Sequence, residues 1–174
     1  MSCDIISGIS KGCRENAGGI VEVYMRAYPE GYVGNDWYTL DADEIVTAFD
    51  GLTASFYQFS PNKNSSNWVE NIQSSVENGT IGYEQVLTLV FAKNDADKRN
   101  SIKILGQNNL ITIVRDKNEV YWLLGAQSGL EVSGGNSSSG TLLNDLNGWN
   151  ITVGGTEALP AYEVDATIID ALIA

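Results

Sequence analysis

The sequence predicts a mainly β fold with one flanking α-helix, and three stretches carry that prediction. "SVENGTIGYEQVLTLVF" (75–91) sets Asn78-Gly79 between two strand-like runs. Asn-Gly is the strongest short-range hairpin signal, because both central residues of a type I′ turn need positive φ. "NLITIVRDKNEVYWLLG" (109–125) is apolar on both alternating faces, the pattern of strands covered on both sides. "NDADKRNSIKILGQ" (94–107) is the one stretch with helix punctuation. Asn94 is its expected N-cap, acids open it and bases close it, and Gly106 suits the C′ position.

The remaining elements follow in chain order. "GGIVEVYMRAYPEGYV" (18–33) holds a β-branched and aromatic strand that ends at Pro29-Glu30-Gly31. "NDWYTLDADEIVTAFDGLTASFYQFSP" (35–61) reads as one or two short strands broken by Asp50-Gly51, and "NKNSSN" (62–67) as a polar loop. The Asn-Gly hairpin spans about 68–77 and 80–92, and a two-residue turn pairs Glu77 with Thr80 and Trp68 with Leu89. Its apolar face carries Trp68, Ile72, Val76, Ile81, Tyr83, Leu87, Leu89 and Phe91, interrupted mainly by Glu70, Ser74 and Gln85. Its polar face carries Asn71, Gln73, Ser75, Glu77, Thr80, Glu84 and Thr88, with no Lys or Arg. Ile102 and Leu105 give the helix a narrow apolar stripe, so it lies on a surface. A turn at Lys117-Asn118 pairs Val114 with Tyr121 and Ile113 with Trp122, at the centre of the core. "GLEV" (129–132) is a short strand, "SGGNSSSGTLLNDLNG" (133–148) a long flexible loop, and "WNITVGG" (149–155) a strand. "PAYEVDATIIDALIA" (160–174) starts as a strand and has apolar spacing for a short helix. The expected organisation is one domain over 1–174, with an extended N-terminal segment (1–19), the loop and a C-terminal arm (160–174).

Composition narrows the chemistry. The 22 acidic and 10 basic residues leave a charge of −12, which opposes binding of nucleic acid through its phosphates. Histidine is absent, which removes the commonest general base and metal ligand. The start has no apolar h-region, so Cys3 and Cys13 are read as free or packed thiols, with a disulfide the less favoured option. No apolar run reaches transmembrane length.

Several weak constellations were weighed. The Gly/Ser stretch at 133–141 lacks the Lys of a P-loop. Asp41, Asp43, Glu44 and Asp50 miss the spacing of an EF-hand and read as solvated turn carboxylates. Glu70 and Glu84 point to opposite hairpin faces and cannot act as a glycosidase pair. Trp149 is the tryptophan most open to a ligand role, while Trp122 belongs to the core. No catalytic set, metal site or cofactor site emerges, so the expectation is a non-enzymatic protein without cofactors.

"VENGTIGYEQVLTLVFAKNDADKRNSIKILGQNNLITIVRDKNEVYWLLGAQSGLEVSGG", followed by "GTLLNDLNGWNITVGGTEALPAYEV", resembles structural proteins of tailed bacteriophages, particularly those of gut Bacteroidetes-type hosts. The order of hairpin, helix, hairpin, loop and strand is similar to tail-tube subunits. That resemblance implies a β-sandwich/barrel subunit forming hexameric rings stacked into a tube, with the helix outside and a hairpin joined to a ring-wide inner barrel. It places Asn71, Gln73, Ser75, Glu77, Thr80, Glu84 and Thr88 on the channel wall. It places Gly134, Gly135, Asn136, Ser137, Ser138 and Ser139 between subunits. The implied partners are further copies, other virion tail proteins, and double-stranded DNA in transit only, with no membrane; the implied location is the virion tail, made in a bacterial cytoplasm. Two other readings stand beside it. One is another virion component, such as a capsid decoration, ring or head-fibre protein. The other is a carbohydrate-binding β-sandwich using Trp149 and the 133–148 loop.

Overall fold

Eleven strands in two sheets make up the computed structural model, which describes residues 8–12, 14–29, 37–52 and 55–174. Cys3, Cys13 and most of the turn expected at Pro29-Glu30-Gly31 lie outside the described residues. In chain order the elements are β1 (Ile20–Ala27), β2 (Tyr38–Leu40), β3 (Val46–Phe49), β4 (Tyr57–Phe59), β5 (Asn67–Ser75) and β6 (Thr80–Ala92). Then come α1 (Ala96–Leu105), β7 (Leu110–Asp116), β8 (Tyr121–Leu124), β9 (Glu131–Ser138), β10 (Gly148–Glu157) and β11 (Tyr162–Val164). A 3-10 turn (Ala166–Ile168) leads into α2 (Ile169–Leu172). A seven-stranded sheet runs β2-β3-β11-β8-β7-β1-β4, and a four-stranded sheet runs β5-β6-β10-β9. The only parallel pairing between these strands is β3 with β11. The fold is a β-sandwich with small helices, and neither sheet closes into a barrel.

The alternation of side chains builds two cores. Leu87, Leu89, Ile151 and Val153 of the four-stranded sheet pack on Val23, Met25, Val114 and Leu124 of the seven-stranded one. On the other side of the seven-stranded sheet, Tyr24, Ile111, Ile113 and Leu123 pack under Trp37, Phe49, Phe56, Ile169 and Leu172. β7 is therefore covered on both faces, and Leu110 to Val114 are all buried, as its two-sided apolar pattern predicts.

The pairing departs from expectation at both hairpins. β7 and β8 pair Arg115 with Tyr121 and Val114 with Trp122, one residue away from the predicted register. The connection is three residues long rather than two, closed by Asp116 N donating to Val120 O at 3.0 Å. Glu119 supplies the left-handed residue that such a loop needs, at φ 65°. Asp116 Oδ1 fixes the loop by accepting from Asn118 N (2.7 Å) and Val120 N (3.0 Å). A one-residue slip exchanges faces, so Trp122 shares the side of Val114 and meets Trp68 with ring centroids 5.7 Å apart. At the other hairpin Ser75 pairs with Thr80 and Trp68 with Leu87. Its turn has four residues, 76–79, because only Gly79 takes positive φ (63°) whereas a type I′ turn requires it at Asn78 too. This slip is two residues, which preserves both faces.

Three further expectations are corrected. The stretch 133–138 is not loop but most of β9, paired along β10 from Ser138↔Gly148 to Glu131↔Gly154. Its Gly/Ser composition has low strand propensity, and the ladder to β10 holds it in place. The loop is confined to 139–147. Residues 160–174 do start as a strand and end in a short helix as read: β11 joins the seven-stranded sheet and α2 buries Ile169 and Leu172. At α1 the N-cap is Asp95, not Asn94, with the side chain accepting from Lys98 N at 2.9 Å. Gly106 ends that helix in right-handed conformation (φ −69°), so its lack of a side chain is not used there. Residues 8–12 and 14–19, before β1, carry no helix or strand.

Two buried polar groups tie loops to the four-stranded sheet. Gln85 is 1% exposed; its Oε1 accepts from Gly125 N (2.9 Å) and its Nε2 donates to Glu70 Oε2 (3.0 Å). Glu70 Oε2 also accepts from Ala161 N at 2.8 Å, so one network joins β5, β6 and the loops flanking β8 and β11. Glu157, 3% exposed, accepts from Gln127 N (3.0 Å), Ser128 N (3.2 Å) and Ser128 Oγ (2.9 Å). Burial raises its pKa above the ordinary 4.5, and the donors from Ser128, Gln127 and Gly129 oppose that rise in part.

Gln85→Met keeps volume but leaves the Gly125 amide without an acceptor, and urea unfolding should show a loss of about 1–3 kcal/mol. Glu157 binds its proton more tightly folded than unfolded. Its contribution is therefore fully present below the unfolded value and is lost as pH rises through the raised folded value. Subtracting the stability profile of Glu157→Gln from that of the native chain should isolate a falling contribution that begins near pH 4.5.

Candidate functional site, a cation-free sheet face

The inner face of the four-stranded sheet is spent on the core, which leaves its outer face to interact. Strand alternation and the observed registers put Asn71, Gln73 and Ser75 of β5 on that face beside Thr80, Glu84 and Thr88 of β6. Pairing of β10 with β6 carries the face on through Asn150, Thr152 and Thr156, and pairing with β9 through Asn136 and Ser138. None of these side chains is buried. Six of the seven residues predicted for a channel wall are thus brought together. Glu77 is not among them; it lies exposed in the turn at the hairpin tip.

Charge on the face is sparse and of one sign. β5, β6, β9 and β10 contain no Lys or Arg, so all 10 basic residues of the chain lie elsewhere. Glu84 is held in place by two amides, Gln73 Nε2 at 3.0 Å and Asn71 Nδ2 at 3.4 Å from its Oε2. Glu131, opposite Gly154, adds a second carboxylate at the far edge. The rest is hydroxyl, amide, glycine and a few half-exposed valines. The β10 and β9 contributions were missed from the sequence, although the alternation Trp149, Ile151, Val153 against Asn150, Thr152 in "WNITVGG" carries them.

The sheet is open at both sides. Among the described residues β5 and β9, of nine and eight residues respectively, each pair with a strand on one side only and so form the sheet's edges. Because all three pairings are antiparallel, β5 and β9 run in opposite directions. The β5–β6 hairpin also outruns the opposing sheet. Ile72, Val76 and Ile81 are 68%, 93% and 58% exposed, with Ile72 and Ile81 on the face that is buried further down at Leu87 and Leu89.

The 139–147 loop is ordered by its own side chains. Asp145 Oδ2 accepts from Leu142 N (2.7 Å) and Thr141 N (2.8 Å), which lowers its pKa. The loop displays Leu142 and Leu143, 73% and 101% exposed. Of the residues expected between subunits, Gly134 to Ser138 form the β9 edge, and Ser139 opens this loop.

Other candidate chemistry dissolves into structure. Asp41 Oδ1 accepts from Asp43 N and Ile45 N, each at 2.9 Å, and so caps a turn. Among the described residues no cluster of three or more His, Cys, Asp or Glu side chains is placed to hold a metal ion. Trp149 is half-buried against the inter-sheet core. Glu70 and Glu84 do face opposite ways. No family model, curated protein or solved structure matches this chain.

Most of the surface of the apolar tip is exposed, so it adds little to the isolated subunit's stability. Ile72→Thr with Ile81→Thr should shift the denaturation midpoint by no more than about 0.5 kcal/mol, against about 2–5 kcal/mol for Leu87→Ala.

Proposed function

We propose that this chain is a virion structural protein of the tail-tube kind, a subunit whose four-stranded sheet joins those of its neighbours in a ring around an aqueous channel. The observation that carries the reading is the outer face of that sheet, wide, polar and free of Lys and Arg. Affinity for duplex DNA comes chiefly from cations that displace counterions from phosphates. A wall of amides and hydroxyls with scattered carboxylates stays wet, repels the polyanion weakly and gives it nothing to grip.

The sheet edges support the same reading. β9 of one copy meets β5 of the next with the alternation of direction kept, so head-to-tail addition extends one antiparallel sheet. Such a heterologous contact closes into a ring when the rotation between copies allows, and closure removes both edges of the four-stranded sheet. The apolar hairpin tip then covers itself on a neighbour, and the Leu142-Leu143 loop supplies a contact between rings. Six-fold symmetry and the tail location come from the resemblance to phage tail-tube subunits, and catalysis has no part in the role. Trp149 is half-buried against the core, which favours a packing role over a carbohydrate platform.

Electron microscopy of the purified chain should reveal rings or tubes with an open lumen; particles that stay monomeric at high concentration would count against the proposal. Glu84→Lys with Thr152→Lys should still assemble, since both side chains leave the sheet on its outer face. Assemblies of that variant should retain duplex DNA in low salt, where native ones do not. Equal retention by both would remove the outer face from the channel.

A further inference from the structure

The chain contains two Asn-Gly pairs, Asn78-Gly79 and Asn147-Gly148, and the fold treats them oppositely. An asparagine followed by glycine carries its own nucleophile, and asparagine is a thermolabile residue for this reason. The deprotonated glycine amide nitrogen attacks the side-chain carbonyl carbon, a C–N bond forms, and ammonia leaves with the proton. The resulting succinimide is opened by water at either carbonyl, which gives aspartate or isoaspartate. Atoms balance with water alone, and no oxidant or reductant enters. Ring closure needs an approachable amide and freedom for the asparagine side chain to swing onto it.

At the hairpin tip both conditions hold. Asn78 and Gly79 are exposed, and a methyl group built on Gly79 would meet no atom within 4 Å. The one hydrogen bond of this dipeptide among the described residues is Asn78 N to Ser75 Oγ, at a long 3.3 Å, which leaves the Asn78 carboxamide and the Gly79 amide unrestrained. At the other pair they do not both hold. Asn147 is held at its backbone, O accepting from Lys93 N (2.5 Å), while its Oδ1 makes only a long contact with Asn94 N (3.4 Å), so the protection rests chiefly on the glycine that follows. Gly148 is buried in β10 between Ala92 and Ser138, and any added atom on its Cα would strike the Phe91 carbonyl.

We propose that Asn78 is a site of spontaneous deamidation in the folded protein and that the fold protects Asn147. The product places a new carboxylate next to Glu77, beside the apolar Val76 and Ile81, and in its isoaspartyl form lengthens a four-residue turn by one backbone atom. The hairpin tip therefore ages chemically, from neutral to anionic. This inference stands on the subunit alone and does not depend on the tube reading.

The test is peptide mapping with electron-transfer fragmentation, which separates aspartate from isoaspartate, after incubating the intact protein in mildly alkaline buffer. A sample unfolded in urea gives the rate without structure. The expected result is conversion at position 78 in both samples and at position 147 only in the unfolded one. Conversion at 147 keeping pace with 78 in the folded protein would overturn the proposal. So would an Asn78 that stays intact while the unfolded sample converts. Asn78→Gln, which cannot close the five-membered ring, should abolish the folded-state product; its persistence would place the chemistry elsewhere.

Discussion

Coverage of β7 on both faces is the constraint from which the rest of this architecture follows. A strand whose consecutive residues Leu110 to Val114 are all buried cannot sit on the outside of any layer. One side must receive a sheet, and the β5-β6-β10-β9 sheet does so through Leu87, Leu89, Ile151 and Val153. The other side must receive whatever apolar mass remains. Here that is an aromatic group built from short β2 and β3, the Phe56 bridge and the C-terminal helix. Trp37 stacks on Phe49 with ring planes 16° apart and centroids at 5.5 Å, and its Nε1 donates to Ala126 O at 3.2 Å. The last residues of the chain are thus drawn into the core.

The same layering decides where function can reside. With the seven-stranded sheet covered on both sides, the four-stranded sheet is left with one free face. The polar ties Glu70–Gln85–Gly125 and Glu157–Ser128 point inward from it. Those buried groups tie the sheet to neighbouring loops, and exposed positions on the outer face can vary in composition at little cost to stability. Absence of lysine and arginine from all four strands is therefore a property of the face and not a demand of the fold. Elsewhere the chain does use cations structurally. Arg115 bridges Glu22 at 3.1 Å and Glu119 at 3.4 Å, and Lys98 pairs with Asp95 at 3.1 Å.

How much of this was legible depended on parity. Face membership along β5 and β6 could be read from the sequence although the pairing was wrong, because a two-residue slip restores every side chain to its own side. The β7–β8 hairpin had no such protection. Its third loop residue is Glu119 in left-handed conformation, an identity with no turn signature, and the odd slip moved Trp122 to the other layer. Most of β9, beyond the short strand read at 129–132, was invisible for a different reason. Glycine and serine have little strand propensity of their own, and the segment is a strand only because β10 lies beside it. Close approach also shaped it: a side chain at Gly135 would strike Asn150 O at 2.6 Å. The polar run that looked like a loop was in part a strand edge made of residues small enough to fit.

An open edge of this kind calls for a reason why isolated copies do not pair indiscriminately, and the chain supplies two. The β9 edge is weak by composition, since glycine and serine give a partner no cross-strand side chains to grip. A net charge of −12 adds repulsion between copies that is felt over roughly a Debye length, about 8 Å at physiological salt. Edge pairing alone does not overcome both. In the proposed ring the apolar hairpin tip would change the balance, because Ile72 and Ile81, exposed in the single subunit, would be buried on a neighbour at roughly 25 cal/mol per Å² of apolar surface. Register and burial thus have to be satisfied together, and a mispaired copy gains only hydrogen bonds that water already provided. In the ring proposed above, these two requirements together would favour one orientation of neighbouring copies over the others.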